Sequence, residues 1–203
     1  METSYLSDSM LYRPELTFIV VSSPINLTHE ATNTLSEPLT ISSSVPLRSL
    51  PLGDSITWGS ESTQGNGYRL RLLTLLSENP VTYIGSQRSG SMVNNNNEGH
   101  SGAVISQIED FATASNSLAL RPNVVLVLAG TNYVDRNFDF PTSPERMGSL
   151  LDRLIGNCPD AVVLVAKIPE IGDEVKNAVA QAFNAAISDI VNVRALLGAR
   201  FSR

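Results

Sequence analysis

A chain of 203 residues suits one domain with a real core, and 42% hydrophobic against 17% charged content makes it globular rather than disordered. A net charge of −6, with 14 Lys and Arg spread without a run, argues against a nucleic-acid partner. No apolar run is long enough for a transmembrane segment, and a single Cys158 leaves no intrachain disulfide.

Residues 1–44 read as an N-terminal extension. Glu2 and Asp8 precede any basic residue, and Leu16–Val21 is too short for a signal peptide, so no clean secretory leader is visible. Asn26-Leu27-Thr28 is a glycosylation acceptor pattern, which matters only in a secreted chain. Thr32–Ser44 is rich in Ser and Thr and reads as a flexible linker.

From residue 45 to 203 apolar strands alternate with amphipathic helices. Leu47–Leu52 reads as the first strand. Tyr68–Ser77 reads as a helix with Leu70, Leu73 and Leu76 or Leu72 on one face. Val81–Ile84 is a second strand, and Gly85–Asn97 a polar loop. Ile105, Ile108 and Phe111 mark the next helix. Val124–Ala129 is a continuous β-branched run, as in a strand buried on both faces. Ser143-Pro144 reads as a helix start, with Ser as cap and Pro in the first turn. Met147, Leu150, Leu151 and Leu154 follow at helical spacing. Ala161–Ala166 is a fourth strand. Glu174–Val193 is a long helix whose stripe runs through Val175, Val179, Ala182, Phe183, Ala186 and Ile190. This order predicts a three-layer α/β/α domain around a parallel, flavodoxin-like sheet.

Three segments follow strands or open helices and would gather at the carboxyl edge of that sheet, where ligands bind in open α/β folds. They are Gly53-Asp54-Ser55-Ile56-Thr57-Trp58-Gly59, Asn97-Glu98-Gly99-His100-Ser101-Gly102 and Gly130-Thr131-Asn132. Gly-Asp-Ser on a tight turn presents a serine hydroxyl, a candidate nucleophile. The sequence lacks Gly-x-Ser-x-Gly, a phosphate loop and any His/Cys cluster, so neither a cofactor nor a metal is expected.

In this order the three segments resemble the blocks of the SGNH hydrolase family (the GDS esterases and lipases), most closely its acetyl xylan esterase-like branch. The likeness covers about Val45 to Val193. It implies the SGNH hydrolase fold and a nucleophilic Ser55. It also implies an oxyanion hole made by the N–H groups of Ser55 and Gly99 and the Asn132 side-chain amide. Fixed neutral donors of this kind stabilise the charge of a tetrahedral intermediate. Asp54, His100 and Tyr133 are then expected to shape the site. The branch is mostly secreted, which is what the resemblance implies for localisation.

Two departures stand out. The family's base belongs to an Asp-x-x-His block near the C-terminus, and the only histidines of this sequence are His29 and His100. On this resemblance the domain is expected to be incomplete at its C-terminus, lacking the family's last strand and helix and exposing apolar surface that promotes self-association. Tyr133 stands where the family usually has Asp. The expected function is therefore hydrolysis of short acyl or acetyl esters, with a polysaccharide ester as one substrate class. The alternative is a non-catalytic relative that binds acyl or carbohydrate ligands. A small-molecule binding module of flavodoxin-like shape is the third reading, disfavoured by the retention of Ser55, Gly99 and Asn132.

Overall fold

A computed structural model of the chain describes residues 18–22, 46–136 and 140–201. Its centre is a mostly parallel sheet. The buried strand β6 (Val124–Leu128) lies between β2 (Leu47–Gly53) and β7 (Val162–Ala166), parallel to both. Leu50, Val125 and Val163 pair across this sheet, as do Leu52, Val127 and Val165. These six side chains are fully buried, on one face. Strands covered on both sides need no polar alternation, which is why β6 reads as an unbroken apolar run.

That face packs against α3 (Ile105–Ala114), α5 (Ser143–Asn157) and α6 (Glu174–Phe201). Their contributions include Ile105 and Ile108, Met147, Leu150, Leu151 and Leu154, and Phe183, Ile187 and Val191, all with no exposed surface. The opposite face carries α2 (Tyr68–Leu75). Tyr83 of β3 (Val81–Tyr83) pairs with Ser49 of β2, and its hydroxyl donates to the Arg69 carbonyl of α2 at 2.8 Å. Helices thus cover both sides of the sheet.

Beyond β2 the sheet continues in two pieces. β3 pairs with Leu47–Ser49, while β5 (Asn96–Gly99) pairs with Leu52–Gly53. The stretch that reads as a polar loop therefore contains β5, with β4 (Gln87–Arg88) antiparallel to it. Asparagines explain why the strand pattern was missing. Asn94 accepts from the Tyr83 N–H and donates to the Val81 carbonyl, and Asn96 donates to the Tyr83 carbonyl. Side-chain amides supply there the hydrogen bonds that backbone ladders supply elsewhere. At the far edge, Phe18–Ser22 forms β1, antiparallel to β7. This strand falls inside the segment read as an extension; the remainder of residues 1–45 lies outside the described residues.

Three helix readings shift. In α2 the deeply buried residue is Arg69, while Leu70 is 40% exposed. The Arg69 guanidinium donates to the carbonyls of Trp58, Gly65, Ser89 and Asn95, so α2 is anchored by a cation wrapped in oxygens rather than by a leucine stripe. In α6 the buried stripe is Ala180, Phe183, Ile187 and Val191, whereas Val175 is 75% exposed and Ala182 faces solvent. Ala and Val occur on several faces of this helix, and only contact with the sheet selects one. Ser143 is the first residue of α5, preceded by Thr142 at the cap position.

Candidate active site

The first segment turns sharply where β2 ends. Asp54 caps α1 (Ser55–Trp58), its Oδ1 accepting from the Ile56 N–H at 3.0 Å. Burial pushes the Asp54 carboxyl up to about 6, against the Ile56 hydrogen bond and the nearby Thr131 hydroxyl, which both favour the charged form. Ser55 opens α1 and is half-buried. As the first residue of a helix, its N–H has no intrahelical acceptor. Among the described residues, none hydrogen-bonds the Ser55 hydroxyl. His29 lies outside the described residues.

The three segments meet at the carboxyl edge of the sheet. Gly53 pairs with Gly99, and the His100 N–H donates to the Gly53 carbonyl at 2.9 Å. A Cβ on Gly53 would lie 2.1 Å from the Leu128 carbonyl oxygen, so only glycine lets the serine turn approach the end of β6 this closely. From there the chain enters α4 (Thr131–Arg136). Asn132, nearly buried, donates from Nδ2 to the Ala103 carbonyl at 2.9 Å. An amide nitrogen carries two hydrogens, so this bond orients the Asn132 group and leaves one donor.

Gly99, which the resemblance makes an oxyanion donor, lies at this edge and lines the cavity there. Its N–H donates to Asn97 Oδ1 at 2.9 Å, and its Cα lies against the α1 backbone, where a Cβ would be 2.4 Å from the Trp58 nitrogen. It serves close packing of β5 on α1. Gly102, missed in the sequence, lines the same edge. It sits past the strand end at φ +80, and its N–H has no acceptor among the described residues. The available signal was position: of the two glycines in Gly99-His100-Ser101-Gly102, ligands favour the one beyond the strand.

His100 borders the same edge. Its Nε2 lies 2.7 Å from Glu98 Oε1, and its ring stacks on Phe111 with centroids 4.0 Å apart. Glu98 is fully buried. Burial alone would raise its pKa, but hydrogen bonds from Ser117, Ser86 and His100 outweigh it and hold the carboxyl below its usual range. Tyr133 is fully buried in the hydrophobic core and does not line the cavity, so its effect on the site is through packing.

A cavity of about 510 Å³ opens here, lined among others by Trp58, His100, Gly102, Gln107, Phe111 and Arg136. Ser55 is not among its lining residues but lies one helical turn before Trp58. Aromatic walls, amide side chains and a free backbone donor suit a small, partly polar ligand.

The GDSL-like lipase/acylhydrolase family model matches residues 52–196. No curated protein sequence matches the chain. Among solved structures, a family 3 carbohydrate esterase of Clostridium thermocellum is similar at 28% identity and a TM-score of 0.62, over 76% of this chain and 75% of that one. A family 3 carbohydrate esterase from Talaromyces cellulolyticus has 23% identity and a TM-score of 0.56, over 72% of each chain. An acetyl xylan esterase from Geobacillus stearothermophilus has 17% identity and a TM-score of 0.50, over 73% of each. The last two bear on the fold alone.

Proposed function

Because this chain belongs to the GDSL-like lipase/acylhydrolase family, we propose that it hydrolyses short acyl esters, acetyl esters of carbohydrate included, with Ser55 as nucleophile. The Ser55 N–H, the Gly102 N–H and the remaining Asn132 donor form the oxyanion hole. The observation that carries the reading is the Asn132–Ala103 hydrogen bond, which ties the third segment to the loop bearing Gly102. Oxyanion donors act by being fixed before charge develops, and an amide held by a backbone carbonyl is fixed in this sense.

In the reaction the Ser55 oxygen attacks the ester carbonyl, and its proton must leave. The alcohol departs, and water then cleaves the acyl-serine. Both steps want a base within about 2.6–3.2 Å of the proton. No described residue is bonded to the Ser55 hydroxyl, so turnover is slow. That same observation supports the second reading, a non-catalytic relative that binds acyl or carbohydrate ligands.

Turnover of 4-nitrophenyl acetate separates the two readings. Asn132→Ala lowers the hydrolysis rate about 100-fold if the oxyanion hole operates. If wild type and Asn132→Ala both match the buffer rate, the binding-only reading replaces the enzymatic one.

A further inference from the structure

We propose that Arg136 makes this cavity selective for esters that also carry a carboxylate, on either the acyl or the alcohol side. The proposal rests on the ester-hydrolase reading for the kind of ligand, but the charge preference is the cavity's own.

Arg136 ends α4 and lines the cavity. Its guanidinium hangs over the Gly102 loop, where a Cβ on Gly102 would be 2.8 Å from Arg136 Nη2. The chain as a whole is acidic, at −6, yet no Asp or Glu lines this cavity. Among the described residues, the acids Asp135 and Glu98 are engaged elsewhere. Asp135, the neighbour of Arg136, accepts from Lys176 Nζ of α6 at 2.7 Å. Glu98 lies behind His100, fully buried, and takes hydrogen bonds from Ser86, Ser117 and His100. Arg136 itself forms no ion pair among the described residues.

A guanidinium matches a carboxylate through two parallel N–H···O bonds, a geometry that an ammonium group does not reproduce. Beside a cavity walled by Trp58, Phe111 and the His100 ring, such a pair is screened less than on open surface. A ligand with an ester at one end and a carboxylate at the other could place the ester carbonyl near the Gly102 N–H and its charge on Arg136.

Trp58 is the single tryptophan and lines the cavity, so its fluorescence reports occupancy directly. Wild type, Arg136→Gln and Arg136→Lys are titrated with monomethyl succinate, dimethyl succinate and sodium acetate at constant ionic strength. Arg136 is exposed, so these changes leave the core intact. The expected result is about 10-fold tighter binding of the monoester than of the neutral diester in wild type. The preference disappears in Arg136→Gln and shrinks in Arg136→Lys. Equal affinities in wild type, no saturable response to the monoester, or a preference that survives Arg136→Gln would overturn the proposal. So would acetate binding as tightly as the monoester, since the cavity would then take any small carboxylate. Hydrolysis of the monoester is followed in wild type and Ser55→Ala to keep the two readings apart: a charge preference in wild type with no hydrolysis above the Ser55→Ala rate sinks the esterase reading alone.

Discussion

His100 donates from Nε2 to Glu98, 2.7 Å away, and Glu98 is fully buried beneath it. The direction follows from charge. A carboxyl held below its usual range is ionised at neutral pH and can only accept. His100 is thereby locked in ring orientation at the cavity wall, with Nδ1 left as its second polar atom. Glu98 also ties β5 to Ser86 and to Ser117, so one carboxylate braces both the sheet edge and the cavity.

Glu98→Ala should therefore cost stability as well as order at the site. Removing the acceptor strands the buried Ser117 hydroxyl and the half-buried His100, a loss of about 2–3 kcal/mol. Urea unfolding at neutral pH measures it. The Glu98 contribution is full above its unfolded pKa near 4.5 and disappears as pH falls through its lower folded value. The difference between wild type and Glu98→Ala should narrow in strong acid. A gap that stays constant down to pH 2 would contradict this role.

Asp54 should show the opposite sign. Its folded pKa, raised from 3.8 to about 6, means that the native state binds a proton more tightly than the unfolded chain. Its effect on stability is favourable below pH 3.8 and becomes a cost as pH rises through 6. The shift corresponds to at most about 3 kcal/mol. Asp54→Asn keeps an acceptor for the Ile56 N–H without the charge, so it should gain on wild type between pH 4 and pH 7.5. Parallel stability curves for the two proteins would refute this.

Gly99 and Gly102 should separate cleanly under mutation. A Cβ on Gly99 meets the α1 backbone at 2.4 Å, which cannot yield cheaply. Gly99→Ala should lower the thermal midpoint sharply or prevent folding. A Cβ on Gly102 meets only the mobile tip of Arg136, leaving the cost of a left-handed residue, about 1–2 kcal/mol. Gly102→Ala should fold but hydrolyse 4-nitrophenyl acetate more slowly. If Gly99→Ala were as stable as wild type, the packing role of Gly99 would be lost.

The sequence carried the sheet and the meeting of three segments, because both rest on period and order. The β-branched run of β6 and the positions of Gly53 and Asn132 after strand ends are legible without coordinates. What could not be seen depends on contacts distant in sequence. Arg69 looks like a surface cation in a helix until Trp58, Gly65, Ser89 and Asn95 turn their carbonyls toward it. Strand β5 hides because Asn96 bonds the backbone of β3 and Asn97 bonds Ser89 and Asn95, instead of alternating with apolar residues. The hydrogen bond made by Gly99 was hidden for a similar reason. Its N–H is occupied by Asn97, two residues away, a local turn that glycine spacing does not reveal.

The most direct test of the account asks whether Ser55 becomes acylated. With 4-nitrophenyl acetate the leaving group departs without acid assistance, so the serine can react even without a bonded base. Hydrolysis of the acyl-serine has no such help and should be slower, so the intermediate accumulates. Mass spectrometry of protein incubated with the ester, followed by peptide mapping, reads the result. The account predicts one acetyl group per chain, on Ser55, absent from Ser55→Ala and formed more slowly in Asn132→Ala. No acetylation of Ser55, or an acetyl group that persists in Ser55→Ala on another residue while hydrolysis continues, would contradict it.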